Sequence, residues 1–335
     1  MTEFELIARY FDRPVDRPVD RPVDRPARRA RLGIGDDCAL LVPRAGHALA
    51  ISTDMLVADR HFFTDVDAAA LGWKALAVNL SDLAAMGAQP LAFTLALALP
   101  EVDERWLTRF ASGLFECAEQ FDCELIGGDT TRGPLNICIT IFGEVLERQA
   151  LTRSGACVGD DVWVSGEVGD AALALARTRA ARGAGTSDLA IDDGPRAALE
   201  RPAPRIALGL ALRGVATSAI DVSDGLAQDL GHVLAASKVG ATLVPESVPV
   251  SETLAREGDE VRTRCALAGG DDYQLCFTAS RATRDAVEAA GRASATRVTR
   301  IGAIEREQGL RLTDAHGARF DLPPGVNLQG FDHFA

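Results

Sequence analysis

Nine aspartates form a recurring pattern, in which most of them lie beside glycine or a small polar residue and next to an apolar segment. They are Asp36, Asp37, Asp54, Asp82, Asp129, Asp221, Asp224, Asp271 and Asp272. A single aspartate in such a position most often closes a turn or caps a helix. Because the pattern recurs in both halves of the chain, it indicates a shared chemical role, and we expect most of these side chains at strand ends.

Converging carboxylates favour a hard metal ion. Two carboxylates about 4 Å apart repel each other by roughly 4 kcal/mol at an effective dielectric constant of 20, so several stay ionised together only with a cation. The oxygen donors favour Mg²⁺, and zinc is disfavoured because the chain has only 5 histidines, none paired at ligand spacing. Mg²⁺ beside glycine-rich turns is typical of phosphate chemistry, in which catalysis is mostly positioning and charge neutralisation.

The common nucleotide-binding motifs are absent. The sequence has no G-x-x-x-x-G-K-[ST] pattern, and its two lysines, Lys74 and Lys238, do not follow a glycine-rich loop, which excludes a P-loop. Arg153 could supply the cationic contact to phosphate that lysine does not, or could be a surface arginine. The turn at 166–169 resembles a phosphate-binding turn, but a lone G-x-x-G is a weak signal.

The elements that would position these residues follow a mixed α+β pattern in two related halves, 1–150 and 151–335. The first half is predicted to hold strands at 48–51, 124–126 and 135–145 and helices at 71–86 and 103–120. In the second half, strands are predicted at 161–165 and 218–221, and the segment 265–268, like the strands, leads into glycine and aspartate. Residues 12–26 repeat Asp-Arg-Pro-Val and predict an exposed, extended loop.

Composition limits the class of protein. The 335 residues are 47% hydrophobic and 25% charged, as in a soluble globular chain of two domains, and the net charge of −13 disfavours nucleic acid as a partner. Seven cysteines without a C-x-x-C pair predict free thiols in a reducing compartment. The N-terminus does not resemble a signal peptide and no apolar run reaches roughly 18 residues, so we expect a cytoplasmic protein without a membrane span.

Eight segments in one order carry a family resemblance. They are GIGDD at 33–37, STDMLV at 52–57, HF at 61–62, AVNLSDLAAMGA at 77–88, GGDTTRG at 127–133, LTRSGA at 151–156, DVSDGL at 221–226 and GFDHF at 330–334. Together they resemble the thiamine-monophosphate kinases, of the superfamily that also contains aminoimidazole ribonucleotide synthetase. The resemblance runs from Phe4 to Phe334, interrupted by the insertion at 12–26 and a loop near 177–200.

The resemblance implies a fold and a reaction. The fold would be aminoimidazole ribonucleotide synthetase-like, with 1–150 as an ATP- and Mg-binding, dimerising domain and 151–335 completing the active site in a groove between the halves. The reaction would be direct transfer of the γ-phosphoryl group of ATP to thiamine monophosphate, giving thiamine diphosphate, with several Mg²⁺ ions. The protein would be a homodimer, with the N-terminal domains pairing through their sheets.

The resemblance also assigns residues by matching position. Metal ligands would be Asp37, Ser52, Thr53, Asp54, Asp82, Asp129, Asp221 and Asp224. ATP contacts would be Gly128, Asp129, Arg153 and Ser223, and thiamine contacts would be His61, Asp271 and Phe331. An aromatic face at Phe331 suits a cationic thiazolium ring. No general base is assigned, because the acceptor phosphate is already ionised near neutral pH.

The sequence departs from the family pattern at one substrate position, and other functions stay open. Asp271 stands where the family has glutamate, which shortens the side chain by one methylene.

Two other members of the superfamily are alternatives. A selenophosphate synthetase would carry a reactive Cys or selenocysteine in an N-terminal glycine-rich loop. A hydrogenase-maturation dehydratase would carry a C-terminal cysteine, whereas this chain ends His333-Phe334-Ala335. The alternative from another class is a non-catalytic thiamine-phosphate binding protein. The full set of carboxylates argues against it, because a simple binding protein needs few metal ligands.

Overall fold

The computed structural model describes residues 2–12, 30–34, 37–185 and 193–331. Most of the predicted Asp-Arg-Pro-Val loop, together with Gly35, Asp36 and the last residues of the closing motif, lies outside the described residues. The chain divides into two compact units. Unit 1 comprises Met1–Leu80 and Gln89–Glu147, and unit 2 comprises Ser81–Ala88 and Arg148–Ala335.

Unit 1 is built on a four-stranded sheet. Its elements are α1 (Glu3–Tyr10), β1 (Ala30–Leu32), β2 (Leu40–Leu41), β3 (His47–Val57), α2 (Ala68–Ala85), β4 (Gln89–Leu99), α3 (Glu104–Gln120), β5 (Glu124–Arg132) and β6 (Asn136–Leu146). The sheet order is β3-β6-β4-β5, in which only β4 and β5 are parallel, and β1 and β2 form a separate pair. The last turn of α2 belongs to unit 2.

The sheet of unit 1 has one covered face and one open face. On β6 the side chains of Ile137, Ile139 and Ile141 are buried while the intervening ones are half-buried, as strand alternation requires. Helices α2 and α3 cross so closely that a Cβ added at Gly113 would lie 1.8 Å from the carbonyl oxygen of Ala69. Asp103, at the start of the predicted helix 103–120, caps α3 by accepting backbone N–H groups of its first turn.

Unit 2 is built on a six-stranded sheet. Its elements are β7 (Asp161–Ser165), α4 (Asp170–Gly183), α5 (Asp193–Glu200), α6 (Ile206–Ala211), β8 (Ala216–Asp221), α7 (Leu226–Ser237), β9 (Gly240–Leu243), α8 (Glu252–Ala255), α9 (Asp259–Ala268), β10 (Leu275–Ala279), α10 (Arg284–Ala293), β11 (Val298–Glu305) and β12 (Gly309–Leu312). The order is β12-β9-β11-β7-β10-β8, antiparallel except for β12 with β9. One core cluster joins Val162 and Val164 of β7 to Leu226, Leu230 and Val233 of α7.

The mixed α+β class is as predicted, but two details of the prediction are wrong. Asp54 and Asp129 lie inside β3 and β5, not at strand ends. The segment 265–268 is the end of helix α9, which begins at Asp259 with two acidic residues in its first turn. Acidic residues in a first turn favour a helix through its dipole, and that signal lies upstream of the apolar residues on which the interpretation rested. The other predicted strands and helices are present at close to the predicted positions.

Candidate active site

In unit 1, Asp54 is held through its backbone by helix α2. The side chain of Asn79 is 1% exposed; it donates to the carbonyl oxygen of Ala75 at 3.0 Å and accepts the N–H of Asp54 at 3.2 Å. Because β3 is an edge strand, its outer N–H groups have no neighbouring strand in the described part of the chain, and Asn79 supplies the acceptor for the N–H of Asp54. Ser52 and Asp54 share one face of β3, whereas Thr53 lies on the other, where its hydroxyl is 2.9 Å from that of Thr140.

The Gly127-Gly128-Asp129 segment requires glycine at its centre. Gly128 has φ 153°, and a Cβ there would lie 1.9 Å from the carbonyl oxygen of Leu95 on β4. The next residue, Asp129, is exposed, so its carboxylate is available to a ligand. Any larger residue at 128 would push β5 away from β4 and move Asp129 with it.

Two further predicted residues of unit 1 lie in loops. Asp37 is exposed in the bend before β2. His61 is half-buried, and its Nδ1 is 3.0 Å from the backbone N–H of Val57, from which it accepts. With Nδ1 as an acceptor, the neutral ring carries its proton on Nε2. The ring is therefore oriented by the end of β3.

In unit 2, Asp221 is the last residue of β8 and accepts a hydrogen bond from Ser81. The Ser81 Oγ to Asp221 Oδ2 distance is 2.8 Å, and the two residues are 0% and 6% exposed. Asp82 follows Ser81 in the same turn of α2 and is half-buried. The segment 81–88 belongs to unit 2 although it is distant in sequence from the rest of that unit. Three predicted metal ligands, Asp82, Asp221 and Asp224, are therefore in the same unit.

The loop that carries Ser223 and Asp224 is organised by a residue that sequence reasoning missed. Asp229 is 2% exposed, and its Oδ2 accepts the backbone N–H groups of Ser223, Asp224 and Gly225 at 3.1, 3.1 and 3.0 Å. Burial raises the pKa of Asp229 to about 6, although the three N–H donors oppose that shift. An acidic residue in the first turn of the helix that follows Gly225 was the available signal.

The loop before β10 packs on the Ser223 loop through backbone contacts. The N–H of Asp271 donates to the carbonyl oxygen of Ser223 at 2.8 Å, and that of Tyr273 donates to Val222 at 2.8 Å. Asp271 and Tyr273 both have positive φ, 68° and 49°, and the Tyr273 hydroxyl donates to Asp271 Oδ1 at 2.9 Å. The shorter aspartate therefore has a defined orientation at this position.

Asp272 closes the glycine turn at 166–169. It is 7% exposed, both its oxygens accept the N–H of Gly169 at 2.8 and 2.9 Å, and burial raises its pKa. The N–H groups of Gly166 and Val168 donate to the carbonyl oxygens of Arg297 and Pro249. Because these donors are used within the protein, the turn does not offer them to a phosphate group.

Arg153 and Phe331 lie in segments held by backbone contacts. Ser237, at the end of α7, donates through its hydroxyl to the carbonyl oxygen of Arg153 at 3.2 Å and accepts the N–H of Gly155 at 3.2 Å. The Arg153 side chain is exposed. Phe331 is half-buried, and its N–H donates to the carbonyl oxygen of Asp224 at 3.0 Å.

The candidate donors for a metal ion are mostly carboxylates. Within residues 2–12, 30–34, 37–185 and 193–331, no three His, Cys, Asp or Glu side chains form a group that could hold a metal ion. Mg²⁺ does not require such a group, because it usually takes one or two carboxylates and completes its shell with water and substrate phosphate. In unit 2 the half-buried Asp82 and Asp224 are donors of that type, and in unit 1 the exposed Asp129 is another.

Comparisons with known proteins agree on one family. The family described as AIR synthase related protein matches with its N-terminal domain at residues 35–145 and with its C-terminal domain at residues 158–315. The thiamine-monophosphate kinase of Escherichia coli (strain K12) is 47% identical over 99% of this chain and 98% of its own length.

Solved structures give the same result. The crystal structure of thiamine-monophosphate kinase from Stenotrophomonas maltophilia K279a has a TM-score of 0.80 and 48% identity, covering 87% of this chain and 92% of its own. A second structure, described as AaThiL complexed with AMPPCP and TMP, has a TM-score of 0.74 and 28% identity, covering 88% of this chain and 89% of its own.

Proposed function

The chain belongs to the thiamine-monophosphate kinase family, and we propose that it transfers the γ-phosphoryl group of ATP to thiamine monophosphate. The bond between the β- and γ-phosphates of ATP breaks, a bond forms to a phosphate oxygen of thiamine monophosphate, and the products are ADP and thiamine diphosphate. The observation that carries this proposal is the full-length similarity to a kinase named for this reaction. The neighbour that was solved with AMPPCP and TMP supports the pairing of nucleotide and acceptor.

Direct transfer of this kind depends on positioning and on neutralising charge. Bound Mg²⁺ would neutralise the charge of the phosphate oxygens. The proposed ligands are Asp37, Ser52, Thr53, Asp54 and Asp129 in unit 1 and Asp82, Asp221 and Asp224 in unit 2. For Thr53 the contribution would come from its backbone, since its hydroxyl lies 2.9 Å from that of Thr140 on the opposite face of β3.

The proposed contacts to the two substrates come from the loops described above. Gly128, Asp129, Arg153 and Ser223 would bind ATP, and the exposed side chain of Arg153 provides a guanidinium for phosphate oxygens. His61, Asp271 and Phe331 would bind thiamine monophosphate. No residue is assigned as general base, because an ionised phosphate oxygen attacks without losing a proton.

We propose a homodimer that forms through the open face of the unit 1 sheet. On β3, Leu49, Ile51 and Met55 are 40%, 59% and 54% exposed, and Ile51 stands opposite Phe142 of β6. Exposed large apolar side chains on one face of a sheet are typical of a protein interface.

We also propose that the protein is cytoplasmic. Its seven cysteines are all free thiols, as is typical of a reducing compartment. No helix in the described part of the chain has the length and hydropathy of a membrane span.

One incubation tests the reaction. Purified protein is mixed with ATP, Mg²⁺ and thiamine monophosphate, and thiamine diphosphate and ADP are measured by chromatography. We expect the two products in equal amounts, and none after Mg²⁺ is removed with a chelator. Retained binding of thiamine monophosphate without any product would instead support the non-catalytic binding protein and overturn the kinase.

A further inference from the structure

The chain after β12 returns to the Ser223–Gly225 loop and is fastened there by Gln228 in the first turn of α7. Gln228 Oε1 accepts the N–H of Gly330 at 2.8 Å, and its Nε2 donates to the carbonyl oxygen of Phe331 at 3.3 Å. Together with the bond from the Phe331 N–H to the Asp224 carbonyl oxygen at 3.0 Å, three hydrogen bonds hold two consecutive residues. One half-buried glutamine makes two of them.

The fit of this segment against the loop is close. A Cβ at Gly330 would lie 2.3 Å from the carbonyl oxygen of Asp224 and 3.0 Å from Gln228 Oε1. Glycine therefore allows the backbone of the tail to lie directly on the backbone of the loop. On the other side of the same turn, Asp229 holds the loop from within through its three N–H bonds. Neighbouring side chains of α7 thus fix both the loop and the tail.

The tail has further contacts besides those of Gln228. Leu322 and Leu328 pack against the core cluster of unit 2 and hold the preceding part of the tail. The hydrogen bonds of Gln228 act only at its far end, where Phe331 lies. A side chain whose hydrogen bonds go to that end is expected to set the position of Phe331 more than it contributes to folding.

We propose that Gln228 is a positioning residue for thiamine monophosphate, which it serves by fixing the Gly330–Phe331 segment on the Asp224 loop. This inference rests on the proposed function, in which Phe331 contacts the thiamine group and Ser223 and Asp224 contact ATP and metal. Gln228 then sets the aromatic ring of Phe331 at a fixed distance from the Ser223–Gly225 loop. An aromatic ring held in place binds a cationic thiazolium without first losing conformational freedom.

Kinetics of two Gln228 variants test the proposal. Gln228→Leu removes both hydrogen bonds, and we expect KM for thiamine monophosphate to rise about fivefold to tenfold, as when two hydrogen bonds at the weak end of the net range are lost. KM for ATP and the melting temperature should stay close to those of the wild type. Gln228→Glu keeps the acceptor for the N–H of Gly330 but places an oxygen against the carbonyl oxygen of Phe331. We therefore expect KM for thiamine monophosphate to rise in this variant too. Gln308→Leu, at an exposed glutamine in the same unit, is the matched control.

A second pair of variants tests the tail contact itself. Gly330→Ala should raise KM for thiamine monophosphate, whereas Gly231→Ala in α7, where a Cβ has nothing within 4 Å, should not. Hydrogen–deuterium exchange of the C-terminal peptide reports on the contact without any substrate, and Gln228→Leu should speed exchange at Gly330 and Phe331 about tenfold.

The outcomes separate this inference from the proposed function. If the wild-type protein makes no thiamine diphosphate, the proposed function fails, whatever the exchange rates are. If the wild type is active but Gln228→Leu has the KM and exchange rates of Gln308→Leu, the positioning role is overturned. Equal increases in both KM values, with a lowered melting temperature, would also overturn it, because they would show a merely structural effect.

Discussion

Four aspartates illustrate how surroundings separate one role from another. Asp229 and Asp272 are buried, and their oxygens accept backbone N–H groups, so they shape loops. Asp129 is exposed and Asp224 half-buried, so their carboxylates can reach a ligand in solution. Residue type and spacing alone did not separate these roles, since Asp271 and Asp272 are neighbours with different partners.

At the residue scale, Asp129→Asn is expected to lower kcat by at least about 10²-fold. That is the scale seen when one group that stabilises developing charge is removed, and an amide is a far weaker ligand for Mg²⁺ than a carboxylate. Steady-state rates at saturating substrates and rising Mg²⁺ measure the effect, and the unfolding transition should stay unchanged. Asp285→Asn, at an exposed aspartate of α10, is the control. A rate near that of the wild type would remove Asp129 from the metal site.

A second prediction concerns Asp161, which is outside the proposed site. Its side chain is 1% exposed, and Arg284 donates to it at 2.6 and 2.8 Å. Burial acts to raise the pKa of Asp161, but the hydrogen bonds and charge of Arg284, with Arg300, outweigh it and lower the pKa. We expect Asp161→Asn to reduce the free energy of unfolding by about 1–3 kcal/mol at pH 7.

The pH dependence of that loss follows from the sign of the shift. A carboxyl group with a lowered pKa in the folded state stabilises the protein above its unfolded pKa, and this contribution is lost as the pH falls through the folded pKa. The difference between Asp161→Asn and the wild type should therefore be constant from pH 7 to about pH 5 and shrink below it. Urea unfolding at several pH values measures it. Asp321→Asn, whose side chain is 84% exposed, should show no such dependence.

At the scale of elements, strong local patterns predicted most of the fold, and contacts distant in sequence account for the rest. The helices predicted at 71–86 and 103–120 are present as α2 and α3, because the caps and periodicity that indicate a helix are local signals. Asp54 and Asp129 were placed at strand ends because glycine and aspartate usually interrupt strands. In the fold, β3 and β5 continue through them because paired strands supply the ladder, and Gly128 fits against Leu95.

The crossing of α2 and α3 gives a prediction for an element. A Cβ at Gly113 would lie 1.8 Å from the carbonyl oxygen of Ala69, so Gly113→Ala must push the helices apart. We expect a loss of about 1–3 kcal/mol from overpacking, despite the gain of about 1 kcal/mol in helix propensity. Thermal unfolding measures the change. Gly183→Ala in α4, where nothing lies within 4 Å, should be neutral or stabilising, and equal melting temperatures for the two variants would contradict the close crossing.

At the scale of the whole molecule, the net charge of −13 has a partial explanation in the proposed site. Eight residues proposed as metal ligands include six aspartates, whose charge would be offset by bound Mg²⁺ and then by nucleotide phosphates. The surplus that disfavours nucleic acid is thus compatible with an anionic nucleotide. On the open face of the unit 1 sheet, Ile51 and Met55 of β3 stand opposite the uncharged Phe142 and Cys138 of β6.

That open face gives the last prediction, on oligomeric state. Burying Ile51 and Met55 would contribute about 1.5–3 kcal/mol for each side chain, and a stable interface needs about 800 Å² from each partner. We therefore expect the 35.4 kDa chain to sediment as a dimer at about 10 μM, and Ile51→Lys to sediment as a monomer, because a charged side chain at the centre of the face would be buried without a partner. Val158→Lys, at a 52% exposed position in unit 2, is the control and should remain dimeric. A wild-type monomer at that concentration, or a dimer that survives Ile51→Lys, would place the interface elsewhere or remove it.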